Sequence, residues 1–156
     1  MALRNILTVE QNEADLRRVS KPVGKFDDRL ARLLDDLRDT LNKANGLGLA
    51  APQVGILKRV AVVIDAETET LYELINPVII SEEGEAYCDE GCLSIPKLYE
   101  RTKRPQRVTV GTYLRDGSAA EYEGTGMLAR AFCHEIDHMD GILFVDRNKE
   151  EKNPEK

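Results

Sequence analysis

The only two histidines of the chain stand four residues apart, and a glutamate follows the first of them directly. Residues 134–138 read His-Glu-Ile-Asp-His. On a helix, positions i and i+4 lie on one face, so both imidazoles can reach the same ion. Glu135 is rotated by about 100° from His134 and can address a water in an open coordination position. The spacing therefore predicts a catalytic metal site, and disfavours a solvated helix with incidental histidines.

The third ligand of such a site must be a thiolate or a carboxylate, because no histidine is left. Cys133 precedes His134 directly, points away from the ligand face and is interpreted as a packing residue. Cys88 and Cys92 share a segment whose glycine and proline suggest a strand that enters a constrained loop. The spacing does not choose between these two cysteines. Together with both histidines they could also form a closed, structural four-ligand site, which is a non-catalytic alternative.

A zinc endopeptidase is a second alternative, because enzymes of this class share the His-Glu-x-x-His pattern. They usually take their third ligand from the chain after the motif helix. The acidic residues available there are Asp146, Glu150, Glu151 and Glu155. They belong to a charged end of the chain that we expect to be frayed, which weighs against an endopeptidase.

Composition restricts the remaining function classes. The chain has 156 residues, 42% of them hydrophobic, which suits one globular domain. A net charge of -6 argues against a large nucleic-acid footprint. Without an apolar run of bilayer length or a secretory signal we expect a cytoplasmic protein, in which three cysteines are free thiols. A basic cluster is interpreted as a solvated strand edge; it comprises Arg101, Lys103, Arg104 and Arg107.

The elements that must position the motif follow from hydrophobic periodicity. Residues 27–45 carry five leucines at helical spacing, with Asp27 or Asp28 as a cap and Gly46 as a terminator. Strands are predicted at 60–64, at 72–80 with a break at Asn76-Pro77, and at 108–114 before an Asp-Gly turn. Residues 126–140 return to helical periodicity, and Gly141 ends that helix.

These elements predict an α+β fold. A mixed, mainly antiparallel sheet packs around a central helix that carries the metal motif, and the helix at 27–45 lies on the outside. We expect one catalytic domain over residues 1–147 and a charged, frayed tail over residues 148–156.

Three separated segments resemble the signature motifs of the peptide deformylase family, in the family's order. They are Gly-Leu-Gly-Leu-Ala-Ala-Pro-Gln at 46–53, Glu-Gly-Cys-Leu-Ser-Ile-Pro at 90–96 and the His-Glu-x-x-His motif at 134–138. Residues 16–23 and 75–77 also look like the family's flanking segments. Each motif alone is weak, but the three together are highly specific.

The resemblance implies that Cys92, His134 and His138 bind one divalent metal and that water takes the fourth place. It implies that Glu135 serves as base and then as acid, during removal of the formyl group from the formylmethionine of newly synthesised polypeptides, with release of formate. Oxyanion donors would be the backbone N–H of Leu93 and the amide of Gln53.

The same resemblance implies substrate contacts at Gly48 and Gly91; a side chain at position 48 would intrude on an extended peptide. By position, Leu47, Met127 and Leu128 are plausible walls of a methionine pocket. We also hypothesise an ion pair between Glu90 and Arg104 that braces the Cys92 loop.

The resemblance favours Fe(II) as the physiological metal, with zinc, nickel or cobalt compatible with the same ligands. Two positions depart from the family pattern: Cys133 stands where a glutamine is usual, and Met139 where a leucine is usual. Many bacterial members carry a C-terminal helix associated with ribosome docking. Only eighteen residues follow His138 here, so a ribosome contact is in doubt; we expect no direct nucleic-acid binding and no membrane partner.

Overall fold

The leucine-rich segment forms a helix that covers a sheet. The computed structural model describes residues 2–147, in which α1 spans Val9–Leu16 and α2 spans Asp28–Ala44. The Asp27 carboxylate caps α2 by accepting a hydrogen bond of 3.1 Å from the Leu30 N–H. The expected terminator was wrong by one residue, because Asn45 rather than Gly46 adopts the left-handed conformation, with φ 57°. All five leucines of the pattern are buried: Leu30, Leu33, Leu34, Leu37 and Leu41.

Within residues 2–147, eight strands form three antiparallel sheets, which confirms the α+β class. The first sheet has the order β1-β2-β3, with strands Gly48–Ala50, Val60–Ile64 and Leu71–Ile75. The second has the order β4-β7-β8, with strands Val78–Glu83, Arg107–Tyr113 and Ala119–Thr125. The third is a hairpin of β5 and β6, which span Ala86–Cys92 and Ile95–Arg104. A 3-10 helix, Ala51–Val54, follows β1.

The strands predicted at 72–80 and their break at Asn76-Pro77 are confirmed, because β3 ends at Ile75 and β4 begins at Val78. Asn76 takes φ 51° and sends the chain into a different sheet. The Asn76 side chain fixes this turn by accepting a hydrogen bond of 2.8 Å from the Val23 N–H. The segment around Cys88 and Cys92 is a strand that enters a tight turn, as predicted, and the chain returns at once as β6 of the β5–β6 hairpin.

The motif helix α3, Gly126–Met139, lies at the centre of the structure. It contacts β1, β2 and β8 and buries ten of its fourteen residues. Phe132 and Ile136 pack with Val63 and Val110 from two different sheets in one apolar cluster. The helix that carries the histidines is therefore held from several sides, as expected for a site that needs fixed geometry.

Residues 7–9, where the chain enters α1, join two of the three signature motifs. The Leu7 N–H donates a hydrogen bond of 2.7 Å to the Gln53 carbonyl, and the Val9 N–H donates one of 2.9 Å to the Ser94 carbonyl. Gly141, with φ 75°, ends α3, and a last helical turn, α4, spans Phe144–Arg147. The predicted tail at 148–156 lies outside the described residues. Within residues 2–147 no helix has the length and apolar character needed to cross a bilayer.

Candidate metal centre

Three potential metal ligands converge where the end of β5 meets α3. Cys92 is the last residue of β5, whereas His134 and His138 lie one turn apart on α3. Their potential ligand atoms all lie within 4.8 Å of one another, and Cys92 Sγ is 3.3 Å from His138 Nε2. Burial lowers the pKa of His138 well below its usual value, so its ring is neutral and can offer a lone pair. One thiolate and two imidazoles form a donor set suited to a divalent transition metal.

The other candidate ligands are held elsewhere. Cys88 lies on the same strand as Cys92 but four residues earlier, about 13 Å away along a strand, so both sulfurs cannot bind one ion. Cys133 is buried in the apolar cluster around Phe132, which agrees with its interpretation as a packing residue. Asp146 accepts hydrogen bonds from Arg17 and from the Leu143 N–H. Glu150, Glu151 and Glu155 lie outside the described residues.

Glu135 lies beneath this cluster, with only 3% of its surface exposed. Burial raises the pKa of Glu135 to about 7, although the neighbouring His134 acts in the opposite direction. Its Oε1 is buried without a hydrogen-bond partner among the protein groups of residues 2–147. A buried carboxylate oxygen of this kind fits a water held at the metal, and a pKa near neutrality suits proton transfer. These residues therefore fit a metal with an open coordination position.

Gln53 borders the cluster on the side of the 3-10 helix. Its orientation is fixed because its Oε1 accepts a hydrogen bond of 2.9 Å from the Ala50 N–H. Its Nε2 then donates to Ser94 Oγ at 3.1 Å and lies 3.7 Å from Cys92 Sγ. Leu93 occupies the turn between β5 and β6 and lines the cavity above the cluster. Both predicted oxyanion donors are thus adjacent to Cys92, and their role stays a prediction.

The two glycines predicted to face substrate are each covered by one side chain. A Cβ added to Gly48 would lie 2.4 Å from Glu135 Oε2. A Cβ added to Gly91 would lie 2.4 Å from the ring of Tyr99. At either position an added side chain would force the facing side chain to move. The absence of a side chain at position 48 is therefore required by Glu135 itself, which sequence reasoning did not anticipate.

The hypothesised ion pair between Glu90 and Arg104 is present and buried. The Arg104 guanidinium donates two hydrogen bonds to the Glu90 carboxylate, at 2.7 and 3.1 Å. Glu90 also contacts His134 Nδ1, which leaves the other ring nitrogen for the metal side. Burial alone would raise the pKa of Glu90, but hydrogen bonds from His134 and Arg104 hold it well below its usual range. The interpretation of the basic cluster as a solvated edge was wrong for Arg104, because it is only 4% exposed.

Three further members of this network were missed from the sequence. Thr102 donates a hydrogen bond of 2.6 Å to Glu90, and Arg130 donates one of 3.0 Å to the same carboxylate. Asp137, inside the histidine motif, accepts from Arg104 at 2.7 Å. A signal did exist for two of them, because Arg130 and Asp137 stand at i-4 and i+3 from His134 and must lie near it on a helix.

A cavity of about 490 Å³ opens above the cluster. Its lining includes Leu47 and Met127, which were two of the three proposed walls of a methionine pocket. The third, Leu128, packs instead against the apolar cluster around Phe132. Glu135 and His134 reach the floor of the same cavity, so a ligand that enters it meets the candidate metal centre.

Comparison with known proteins gives consistent relatives. The family model described as polypeptide deformylase matches residues 3–154. The peptide deformylase of Caldicellulosiruptor bescii is 56% identical over 147 residues, which cover 94% of this chain and 86% of that protein. The peptide deformylase of Heliobacterium modesticaldum is 52% identical over 155 residues, 99% of both chains. A crystal structure of a peptide deformylase from Legionella pneumophila superposes with a TM-score of 0.88 at 42% identity, and covers 94% of this chain and 86% of that one.

Proposed function

This chain belongs to the polypeptide deformylase family, and from that premise we propose which of its residues perform the family's reaction. Members of the family are metal-dependent hydrolases. They remove the N-formyl group from the N-terminal formylmethionine of newly synthesised polypeptides and release formate. The observation that carries the assignment of residues is the convergence of Cys92, His134 and His138 beside a buried Glu135.

Cys92, His134 and His138 would hold the metal. A divalent ion bound there supplies Lewis acidity, which polarises the formyl carbonyl and makes water more acidic. Cys92 is fixed by the hairpin turn, and His134 by its contact with Glu90. These supports reduce the reorganisation that the ligands would otherwise need.

Glu135 is the general base and then the general acid. Its carboxylate takes a proton from the attacking water and returns it to the departing amine, so that one residue serves both halves of the reaction. The pKa of about 7 supports this assignment, because a carboxylate with this pKa both accepts and gives up a proton readily near neutral pH. Its burial beneath the cavity keeps bulk water away from the transferred proton.

The Leu93 N–H and the Gln53 Nε2 stabilise the negative charge that develops on the formyl oxygen. Support comes from their adjacency to Cys92 and from the bond between the Ala50 N–H and Gln53 Oε1, which points the amide nitrogen toward the cluster. An amide donor does not titrate near neutral pH, and removal of one such donor typically costs about 100- to 1,000-fold in kcat.

The cavity between Leu47 and Met127 takes the methionine side chain. Apolar walls suit a thioether, and the cavity leads directly to Glu135. Gly91 would contribute a backbone contact to the peptide at the cavity's edge, where it lies beside Tyr99. Formylated nascent peptides are accordingly the partners of this site, and we place the reaction in the cytoplasm, where such peptides are made.

Fe(II) is the metal that we propose for the physiological enzyme. Mixed thiolate and imidazole ligands accept iron, zinc, cobalt or nickel, so the ligand set alone does not select one. Ferrous iron beside the Cys92 thiolate would make activity sensitive to oxygen. Protein purified without oxygen should lose turnover on exposure to air, in step with loss of Fe(II). Equal turnover before and after exposure, with iron retained, would exclude this choice of metal.

Formate release from formyl-Met-Ala tests the assignment of residues. The parent should turn over, and Glu135→Gln should lose at least about 100-fold in kcat while it keeps its metal. Glu69→Gln is a matched control, because Glu69 is exposed between β2 and β3 and does not line the cavity. Cys92→Ser should lose metal, whereas Cys88→Ser should retain both metal and turnover. An active, metal-loaded Glu135→Gln variant would refute the role of Glu135.

A further inference from the structure

Two buried arginines, and not one, hold the carboxylate that orients His134. Besides Arg104, Glu90 accepts a hydrogen bond of 3.0 Å from Nη1 of Arg130. Arg130 is only 4% exposed, and Glu90 is 5% exposed. A buried arginine needs hydrogen-bond acceptors for its N–H groups, so the acceptors around Arg130 show which elements it holds together.

Arg130 connects the metal helix to both strands of the hairpin that carries Cys92. Its Nη2 donates to the Ala86 carbonyl on β5 at 2.9 Å and to the Thr102 carbonyl on β6 at 3.3 Å. Its Nη1 also contacts the Thr102 hydroxyl. Arg130 lies one turn before His134 on α3, so the guanidinium links the first histidine's helix to the cysteine's hairpin.

The other ion pair of Arg104 explains why this arginine alone does not hold the Glu90 carboxylate. Arg104 divides its donors between Glu90 and Asp137, and Asp137 is also paired with Arg147. The result is a chain of alternating charge that runs Arg130, Glu90, Arg104, Asp137, Arg147. Without Arg130, Glu90 would share a single arginine with a second carboxylate, and two backbone carbonyls of the hairpin would lose their donor.

We propose that Arg130 is a positioning residue for the metal centre, which acts through Glu90 on the ring of His134 and holds the Cys92 hairpin against α3. The proposal rests on the proposed function, in that Cys92, His134 and His138 are taken as ligands. Arg130 also lines the cavity above the cluster, so its effect on the metal must be separated from an effect on substrate binding.

The test uses Co(II)-loaded protein, because the thiolate-to-cobalt charge-transfer band and the d–d bands report ligand geometry without any turnover. Arg130→Gln removes the charge and the guanidinium, and Arg130→Lys keeps the charge but has no planar fork. Arg115→Met is the matched control, since Arg115 also pairs with two carboxylates, Glu73 and Asp35, away from the metal. Metal release into a chelator, the cobalt spectrum, kcat and KM are measured for each protein.

We expect Arg130→Gln to release cobalt about 10- to 100-fold faster, with shifted d–d bands and a lower kcat. Arg130→Lys should lie between Arg130→Gln and the parent, and Arg115→Met should match the parent in spectrum and release rate. An Arg130→Gln protein that changes only KM or only Tm would overturn the proposal. If Arg130→Gln does not fold, a parental release rate and spectrum in Arg130→Lys would overturn it instead. A parent without a thiolate-to-cobalt band would refute the metal site itself, and so the proposed function.

Discussion

Replacement of Gly48 by alanine should impair catalysis through Glu135. The added Cβ would lie 2.4 Å from Oε2, 2.9 Å from Cδ and 3.0 Å from Cγ of that side chain. Ordinary contacts begin at 3.4 Å, so the carboxylate has to move by about 1 Å. A misplacement of about 1 Å can cost about 100-fold in rate, equivalent to about 2.7 kcal/mol in the activation free energy. We therefore expect kcat to fall by about this factor.

The assay is formate release from formyl-Met-Ala by metal-loaded protein, with kcat and KM determined separately. Gly24→Ala is the control, because a Cβ at Gly24 meets nothing within 4 Å. If position 48 matters only because substrate backbone passes close to it, KM should rise while kcat stays unchanged. A parental kcat in Gly48→Ala, with full metal content, would refute the argument from Glu135.

Three other outcomes follow from burial and charge. Burial raises the pKa of Cys133 to about 11. Iodoacetamide at about pH 8 should therefore leave Cys133 unmodified in the folded protein while it labels the less buried Cys88. Peptide mapping that finds Cys133 labelled as fast as in the unfolded chain would contradict this. Leu37 is fully buried, so Leu37→Ala should lower the free energy of unfolding by about 2–5 kcal/mol in a urea titration, and a loss below about 1 kcal/mol would be inconsistent with the packing. The hydrogen bond from the Leu30 N–H lowers the pKa of Asp27 below 3.8, so the ionised cap stabilises the fold fully above that pH and progressively less as the pH falls below it. The decrease in Tm caused by Asp27→Ala should therefore be smaller at about pH 3 than at about pH 7. A decrease that is the same at both pH values would exclude an ionised cap.

Local patterns in the sequence were sufficient for the features that depend on neighbours along the chain. The leucine spacing of α2 and the i,i+4 spacing of the histidines each describe one face of one helix, and both appear as predicted. The break at Asn76 was visible in the sequence, but the change of sheet that follows it was not, because β7, the partner of β4, is distant in sequence.

Features that depend on contacts between distant segments were not readable from the residues alone. The spacing of Cys88 and Cys92 does not indicate which of them lies beside the histidines. Cys92 lies there because β5 ends beside α3 at this residue. The same holds for the contacts of Arg130 with the carbonyl of Ala86 and the carboxylate of Glu90, which lie 44 and 40 residues away in the sequence.

The segment of residues 7–9, where the chain enters α1, limits the smallest fragment that could remain active. Its backbone satisfies the carbonyl of Gln53 through Leu7 and the carbonyl of Ser94 through Val9. A fragment trimmed to begin at α2 would keep all three signature motifs in its sequence, yet two carbonyls next to the reacting centre would lose their donors. The functional unit therefore extends upstream of every residue that takes part in the chemistry, and a search for a minimal domain by motif boundaries alone would cut it too short.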